Sequence, residues 1–297
     1  MKEKYHMEKI HILTDSAADI PEEQVEAHGI EIVPITVTHE GRTLREYYDI
    51  TPAEYWKLLE ESATVPTTSM VTPAQFLDAY RRAHERGCTH LLAVLINAAG
   101  SGTYQAACLA RTMFREEYGE GMRIELVDSA TYTYIYGHIV VLAARMRDMG
   151  DSFDAILGVV KSRLSRVECY LGVYNLKHLK KSGRISGGAA FVGEALGLKP
   201  ISHVYNGAVT VCDKVRGEKA LVAGLIKKVS ARVVQPEKQT ALLLYGSVPA
   251  ARIDELEKRL RTEIGFGAVT RCPIGPSVIT NTGPQALAVA FYGAARA

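Results

Sequence analysis

Apolar and polar positions follow two rhythms along this chain. Short apolar runs at residues 9–13, 91–96 and 124–127 are bounded by polar or turn residues and read as buried strands. Residues 30–38 alternate with period two and read as a further strand. Between these runs, residues 22–27, 53–61, 74–86, 104–117, 136–147 and 153–164 repeat apolar positions at three- and four-residue spacing, the period of a helix. Thr51-Pro52 and Thr72-Pro73 mark two helix starts, threonine as cap and proline in the first turn. Strand alternating with helix predicts a mostly parallel sheet covered on both faces.

The rhythm changes after Arg166, where a long helical pattern ends. Residues 170–174 read as a strand, and 198–204 with 208–212 as a hairpin turning at Asn206-Gly207. Helices are expected at 219–234 and 251–264, strands at 241–245, 268–272 and 277–280, and a last helix at 286–295. The fold class read from this order is α/β. A three-layer α/β/α domain with a mostly parallel sheet spans residues 1–166, and a two-layer α/β domain with a mixed sheet spans 167–297. No Pro/Ser-rich linker separates them, so the two are expected to abut.

The chain has 297 residues, 47% of them hydrophobic, enough for a sizeable core. No apolar run approaches the roughly eighteen residues of a membrane helix, so no integral membrane segment is expected. The opening residues lead into a strand pattern and not a signal-peptide core. Five scattered cysteines without a C-x-x-C suggest free thiols in a reducing cytoplasm. Neither the nine histidines nor the cysteines show metal-ligand spacing, and no cofactor is implied. The net charge of +2 is uneven: residues 1–166 hold 17 Lys and Arg against 24 Asp and Glu, and residues 167–297 hold 18 against 9. The second half can thus offer a basic face to an acidic partner. Nucleic acid is not that partner, because no basic stripe interleaved with aromatics is present.

Four turns rich in hydroxyls and glycine carry the candidate chemistry: Thr14-Asp15-Ser16, Thr67-Thr68-Ser69, Ser101-Gly102-Thr103-Tyr104 and Ser182-Gly183-Arg184-Ile185-Ser186. Ser101 reads as the N-cap of a helix that follows a strand, a seat for an anion. Asp15-Ser16 and Asp128-Ser129 close strands, where parallel sheets collect ligands. Asp19, before Pro21, reads as a helix cap. Three hydroxyls at 67–69 exceed what one cap needs. Gly183 reads as the end of a basic helix, which leaves Arg184, and similarly Arg216, in loop settings suited to carboxylate or phosphate. Asn281-Thr282-Gly283-Pro284 is expected to bring donors to the start of the last helix. Walker A, G-x-G-x-x-G and G-x-S-x-G spacings are absent. A Ser-His-Asp set can be drawn from Ser101, His138 and Asp128, so a serine hydrolase using Ser101 or Ser16 stands as an alternative.

Taken in order, these runs resemble the DegV family, with its TDS turn, P-x-T-S turn, SGTY helix start, V-D-[ST] strand end, S-G-R turn, K-x-R segment and late G-P turn. They match here as Thr14-Asp15-Ser16, Pro66-Thr67-Thr68-Ser69, Ser101-Gly102-Thr103-Tyr104, Val127-Asp128-Ser129, Ser182-Gly183-Arg184, Lys214-Val215-Arg216 and Gly283-Pro284. The resemblance implies a non-enzymatic carrier that holds a long-chain fatty acid in a buried tunnel between the two domains. It implies that the head group is presented to an ATP-dependent kinase subunit, which makes acyl phosphate for phospholipid synthesis. The ligand-binding set it suggests is Asp15, Ser16, Thr68, Ser69, Asn97, Ala98, Ser101, Thr103, Asn281 and Thr282, with Arg184 and Arg216 docking the partner. Residues 91–96, 135–142 and 191–198 are the candidate walls. The family commonly has two serines where this chain has Asn97-Ala98, histidine at Asn281, glycine at Gln285, and a Pro-Ser pair after Thr68-Ser69. These departures exchange a hydroxyl and a possible imidazolium for neutral amides, and they keep open a docking module with altered or lost lipid binding.

Overall fold

A computed structural model describes residues 8–174, 177–184 and 197–294. The first sheet is parallel, in the order β2 (Glu31–Val33), β1 (Ile10–Asp15), β6 (His90–Leu95), β7 (Arg123–Asp128). β1 is buried along its whole length, as expected of a strand covered on both faces. Helices α3 (Pro73–Glu85) and α4 (Thr103–Tyr118) pack as one pair, and α5 (Tyr134–Asp148) and α6 (Phe153–Leu164) as another. The expected caps form. Thr51 and Thr72 each build a reciprocal capping box, with Glu54 at the head of α2 (Pro52–Glu61) and with Gln75 at the head of α3.

A small antiparallel sheet, β4 (Arg42–Arg45), β3 (Thr36–His39), β5 (Thr67–Ser69), stands beside the parallel one. The single strand expected over 30–38 is therefore two strands in two sheets, β2 and β3. Pro34, lacking an N–H, sits in the gap between them.

The larger, mixed sheet runs β10 (Ala208–Arg216), β9 (Leu198–Tyr205), β8 (Val167–Val173), β13 (Ala286–Tyr292), β11 (Thr240–Tyr245), β12 (Ala268–Pro273). Asn206 and Gly207 both have positive φ in the β9–β10 turn, as the sequence anticipates. One face of this sheet packs Leu287, Val289 and Phe291 of β13 into a core with α8 (Glu218–Ser230) and α9 (Ala250–Arg259). The other face turns Ala286, Ala288 and Ala290 toward the core of the first half. β13 occupies the segment expected to be the last helix. With both faces buried, its run is apolar throughout, and periodicity cannot separate strand from helix.

Two more expectations are corrected. Residues 277–280 belong to helix α10 (Pro276–Thr282), which Pro276 opens at its first position. Asn281 and Thr282 thus end a helix, and Gly283 at φ 89° closes it. Asp19 does not cap α1 (Glu22–Ala27), whose N-cap is Pro21; it sits at φ 49° and accepts from the Gly275 N–H at 2.9 Å.

α5 is apolar nearly all round and contacts both β1 and β11, so it is buried between the two larger sheets. Gly137 permits this: a Cβ there would lie 2.1 Å from the Ala18 carbonyl oxygen. Short helix α7 (Lys177–Ser182) ends at Gly183, φ 67°, as anticipated.

Candidate functional site

The inward face of the mixed sheet leaves a cavity of about 290 Å³ where α5 does not fill the space above it. Small side chains make the room: Cys169 on β8 and Ala288 on β13 line it, with Leu171 and Leu244 beside them. Ile35, Ile96 and Ile135 close it from the first half, and Val278 and Ile274 from the α10 region. The size is close to the lower bound for small-molecule pockets, and the wall is mostly hydrocarbon. Of the candidate walls, residues 91–96 contribute Ile96 and residues 135–142 contribute Ile135. The third, 191–198, lies mostly outside the described residues, as do Ile185 and Ser186.

Polar groups gather at one end. Thr68, the middle residue of β5, lines the cavity; its neighbours Thr67 and Ser69 are exposed and, by the period of a strand, face the other way. Ser101 lines it from the turn before α4. Ser101 is not the N-cap, which is Gly102; its hydroxyl instead accepts from the Thr103 N–H at 3.3 Å and meets Thr103 Oγ1 at 3.0 Å. Thr103 itself is fully buried and does not reach the cavity.

Arg184 lies across this end. Its Nε donates to the Gly100 carbonyl at 2.9 Å, and its Nη1 donates to Ser182 O at 3.1 Å and to Asn281 Oδ1 at 2.7 Å. Asn281 Nδ2 donates in turn to Ser277 O at 2.7 Å, so the amide is held at both ends and presents its oxygen to the arginine. Thr282 also lines the cavity, with its hydroxyl donated back to Val278 O at 3.2 Å. Arg216, exposed at the end of β10, does not line it.

The other expected site residues turn inward to the fold. Asn97, 1% exposed, spends its Nδ2 on Tyr132 Oη and Gly207 O, at 2.6 and 2.8 Å, and ties the strand end to the β9–β10 turn. Ala98 gives its N–H to Asp128 Oδ1 at 3.0 Å. Asp15 accepts from Ile96 N, Tyr136 Oη and Ala17 N, and burial pushes its carboxyl up to about 6. Ser16 donates to Glu46 Oε2 at 2.7 Å and accepts from Ile35 N. Glu46 also accepts from the Ser277 N–H at 2.7 Å. Asp19 and Glu46, both enclosed, are raised by burial first and then by neighbouring acidic charge. Asp15, Asp19 and Glu46 therefore anchor strand ends and the start of α10 and do not touch the cavity space. Asp128 is taken by Ala98 N and Ala130 N, and His138 by Tyr134 O and Tyr292 Oη; burial holds that histidine down to about 4. The hypothetical Ser101–His138–Asp128 set is not assembled.

Sequence reading missed Met70, Tyr132, Thr133 and Ser277, all of which line the cavity. Met70 sits where the family's Pro-Ser pair is interrupted, a signal that was visible. The other three have none, because only the folded chain brings residues so far apart in sequence to one wall. Among the described residues no group of His, Cys, Asp and Glu could hold a metal ion, and no helix is long and apolar enough to cross a membrane.

A family model for DegV, described as an uncharacterised protein family, matches residues 9–294. A DegV domain-containing protein of Caldanaerobacter subterraneus is 32% identical over 285 residues, covering 96% of this chain and 99% of the relative. A Thermus thermophilus DegV family protein, described by its fatty acid binding, superposes with a TM-score of 0.84 at 29% identity, over 96% of this chain and all of that one. A fatty acid binding DegV family protein of Streptococcus agalactiae gives 0.83 at 26%, over 97% and 100%. The fold and cavity are those of an α/β protein with a mostly apolar pocket. The chain belongs to the DegV family.

Proposed function

We infer that this chain binds a long-chain fatty acid, its tail in the apolar cavity between residues 1–166 and 167–297. The cavity carries the reading: about 290 Å³, walled by hydrocarbon and polar at one end. The fatty acid binding described for the Thermus thermophilus and Streptococcus agalactiae relatives supports it. Burying a dozen or more methylenes contributes on the order of 10 kcal/mol gross at about 0.8 each. Few polar contacts are then needed to orient the head group.

The head group lies against Thr68, Ser101 and the Arg184 guanidinium, with Thr282 beside them. Arg184 supplies the positive charge that a histidine at position 281 would have offered, and its Nη2 takes no partner among the described residues. The resemblance of the ordered turns extends the reading. The chain is a carrier, without catalysis of its own, that presents the head group to a separate ATP-dependent kinase subunit for acyl phosphate formation in phospholipid synthesis. It does so in the cytoplasm, where its five unpaired cysteines stay reduced. Arg184 and Arg216, both exposed, are the residues offered to that partner. The test is palmitate titration by calorimetry, followed by incubation of the loaded protein with a bacterial fatty acid kinase subunit and ATP. Saturable binding and acyl phosphate dependent on this chain are expected. Binding without acyl phosphate overturns the carrier role alone.

A further inference from the structure

Tyr132 lines the cavity from the loop that leads into α5. Its hydroxyl stands at the polar end. A Cβ on Gly100 would lie 2.4 Å from Tyr132 Oη, and the carbonyl of that same Gly100 accepts from Arg184 Nε at 2.9 Å. Burial raises the phenol above its ordinary range, and the Asn97 hydrogen bond and the Arg184 charge pull it back in part. The phenol therefore stays protonated near neutral pH and has a hydrogen to give.

The Asn97 amide decides which way that hydrogen can go. Its Oδ1 accepts from the Ala99 N–H at 3.1 Å, and its Nδ2 donates to the Gly207 carbonyl at 2.8 Å. Turning the amide over would set oxygen against oxygen at Gly207 and N–H against N–H at Ala99, so the backbone fixes the orientation. The second Nδ2 hydrogen goes to Tyr132 Oη at 2.6 Å. The phenol oxygen is thus an acceptor toward Asn97, and its own hydrogen is directed elsewhere. Among the described residues nothing accepts it. The side chains that line this end with it are the Arg184 guanidinium and the hydroxyls of Thr68 and Ser101, and no carboxylate lines the cavity among the described residues. An anion is the acceptor that such a lining fits.

We propose that Tyr132 is a head-group donor, its Oη–H given to the ligand carboxylate beside the Arg184 guanidinium. This rests on the fatty acid reading above and adds a residue to that site. A rigid ring with two side-chain torsions, already tied by Asn97, loses little freedom when it binds. Gly100 admits the ring, since a side chain there would displace the hydroxyl.

The experiment is calorimetric titration of the full chain, stripped of lipid, and of its Tyr132→Phe variant with palmitate carrying a carbon-13 label at the carboxyl. A carbon NMR pH titration of the bound carboxyl follows. The variant should bind about tenfold more weakly, the scale of a hydrogen bond to a charged group. Its bound carboxyl should titrate higher than in the native chain, by roughly half a unit to one unit, because a donor to the ionised form is gone. Unchanged affinity overturns the proposal. So does a weaker affinity with an unmoved carboxyl titration, which assigns the tyrosine a structural role alone. If the variant does not fold, 3-fluorotyrosine placed at position 132 keeps both ring and hydroxyl. Its fluorine resonance should then titrate at higher pH with palmitate bound than without, and an unmoved titration overturns the proposal equally. Either negative result with palmitate bound to the native chain removes Tyr132 and leaves the fatty acid reading standing. A native chain that takes up no palmitate ends that reading and this proposal with it.

Discussion

Arg184 and Asn281 are joined by a 2.7 Å hydrogen bond from Nη1 to Oδ1 across the polar end of the cavity. Asn281 Nδ2 gives one of its two hydrogens to Ser277 O, which fixes the amide with its oxygen on the guanidinium. Asparagine at this position thus acts through arginine. Arg184→Gln should weaken binding of a long-chain carboxylate by roughly tenfold or more, the scale of a charge-assisted hydrogen bond. The corresponding fatty alcohol should lose much less. Calorimetry with both ligands checks this, and equal losses would remove the charge from the explanation.

Thr68 brings a hydroxyl to the same end from β5. Thr68→Val keeps the shape and removes one hydrogen bond. Affinity for palmitate should fall by about threefold to tenfold with little change in thermal stability. Unchanged affinity takes Thr68 out of the head-group site.

The cavity exists because β13 turns alanines inward. Ala288 is buried between Leu171 and Leu244, its partners in the sheet register. Ala288→Phe should fill the space and abolish acyl binding at the cost of about 1–3 kcal/mol of overpacking. A folded variant by circular dichroism that still takes up palmitate would show that the tail lies elsewhere.

The buried acids give stability a pH dependence of defined sign. Asp15 is pushed up to about 6 by burial, and Asp19 and Glu46 are raised in the same sense. The folded protein keeps these protons in a range where the unfolded chain, with carboxyls near 4, has released them. Each such group therefore favours folding at low pH and loses that contribution as pH rises through its folded value. His138, lowered by burial, opposes this below its ordinary range and cancels part of it. The wild-type melting temperature should fall between pH 5 and pH 8. Asp19→Asn keeps an acceptor for Gly275 N and tolerates positive φ. It should fall less over the same interval, gaining a few degrees on the wild type by pH 8. Parallel profiles would contradict the assignment.

Much of the frame was legible because local chemistry agreed with the fold. The Thr51 and Thr72 capping boxes and the Asn206-Gly207 turn needed no tertiary information. The strand at Ala286–Tyr292 was not legible, since burial on both faces erases its period. The site divides in the same way. Thr68, Ser101, Arg184, Asn281 and Thr282 sit in short segments whose composition marked them, and they do line the cavity. Asp15, Ser16, Asn97, Ala98 and Thr103 carry the same marks and fold inward, because such groups serve strand ends as readily as ligands. Thr133 and Ser277 are ordinary residues in sequence, and only the folded chain brings them to one wall.

Native mass spectrometry of the protein as purified from its expression host, repeated after delipidation and addition of palmitate, bears most directly on the acyl-binding claim. One long-chain acid per chain, lost on delipidation and regained from palmitate, is the expected result. A bare chain in both states, with palmitate present in excess, would contradict it.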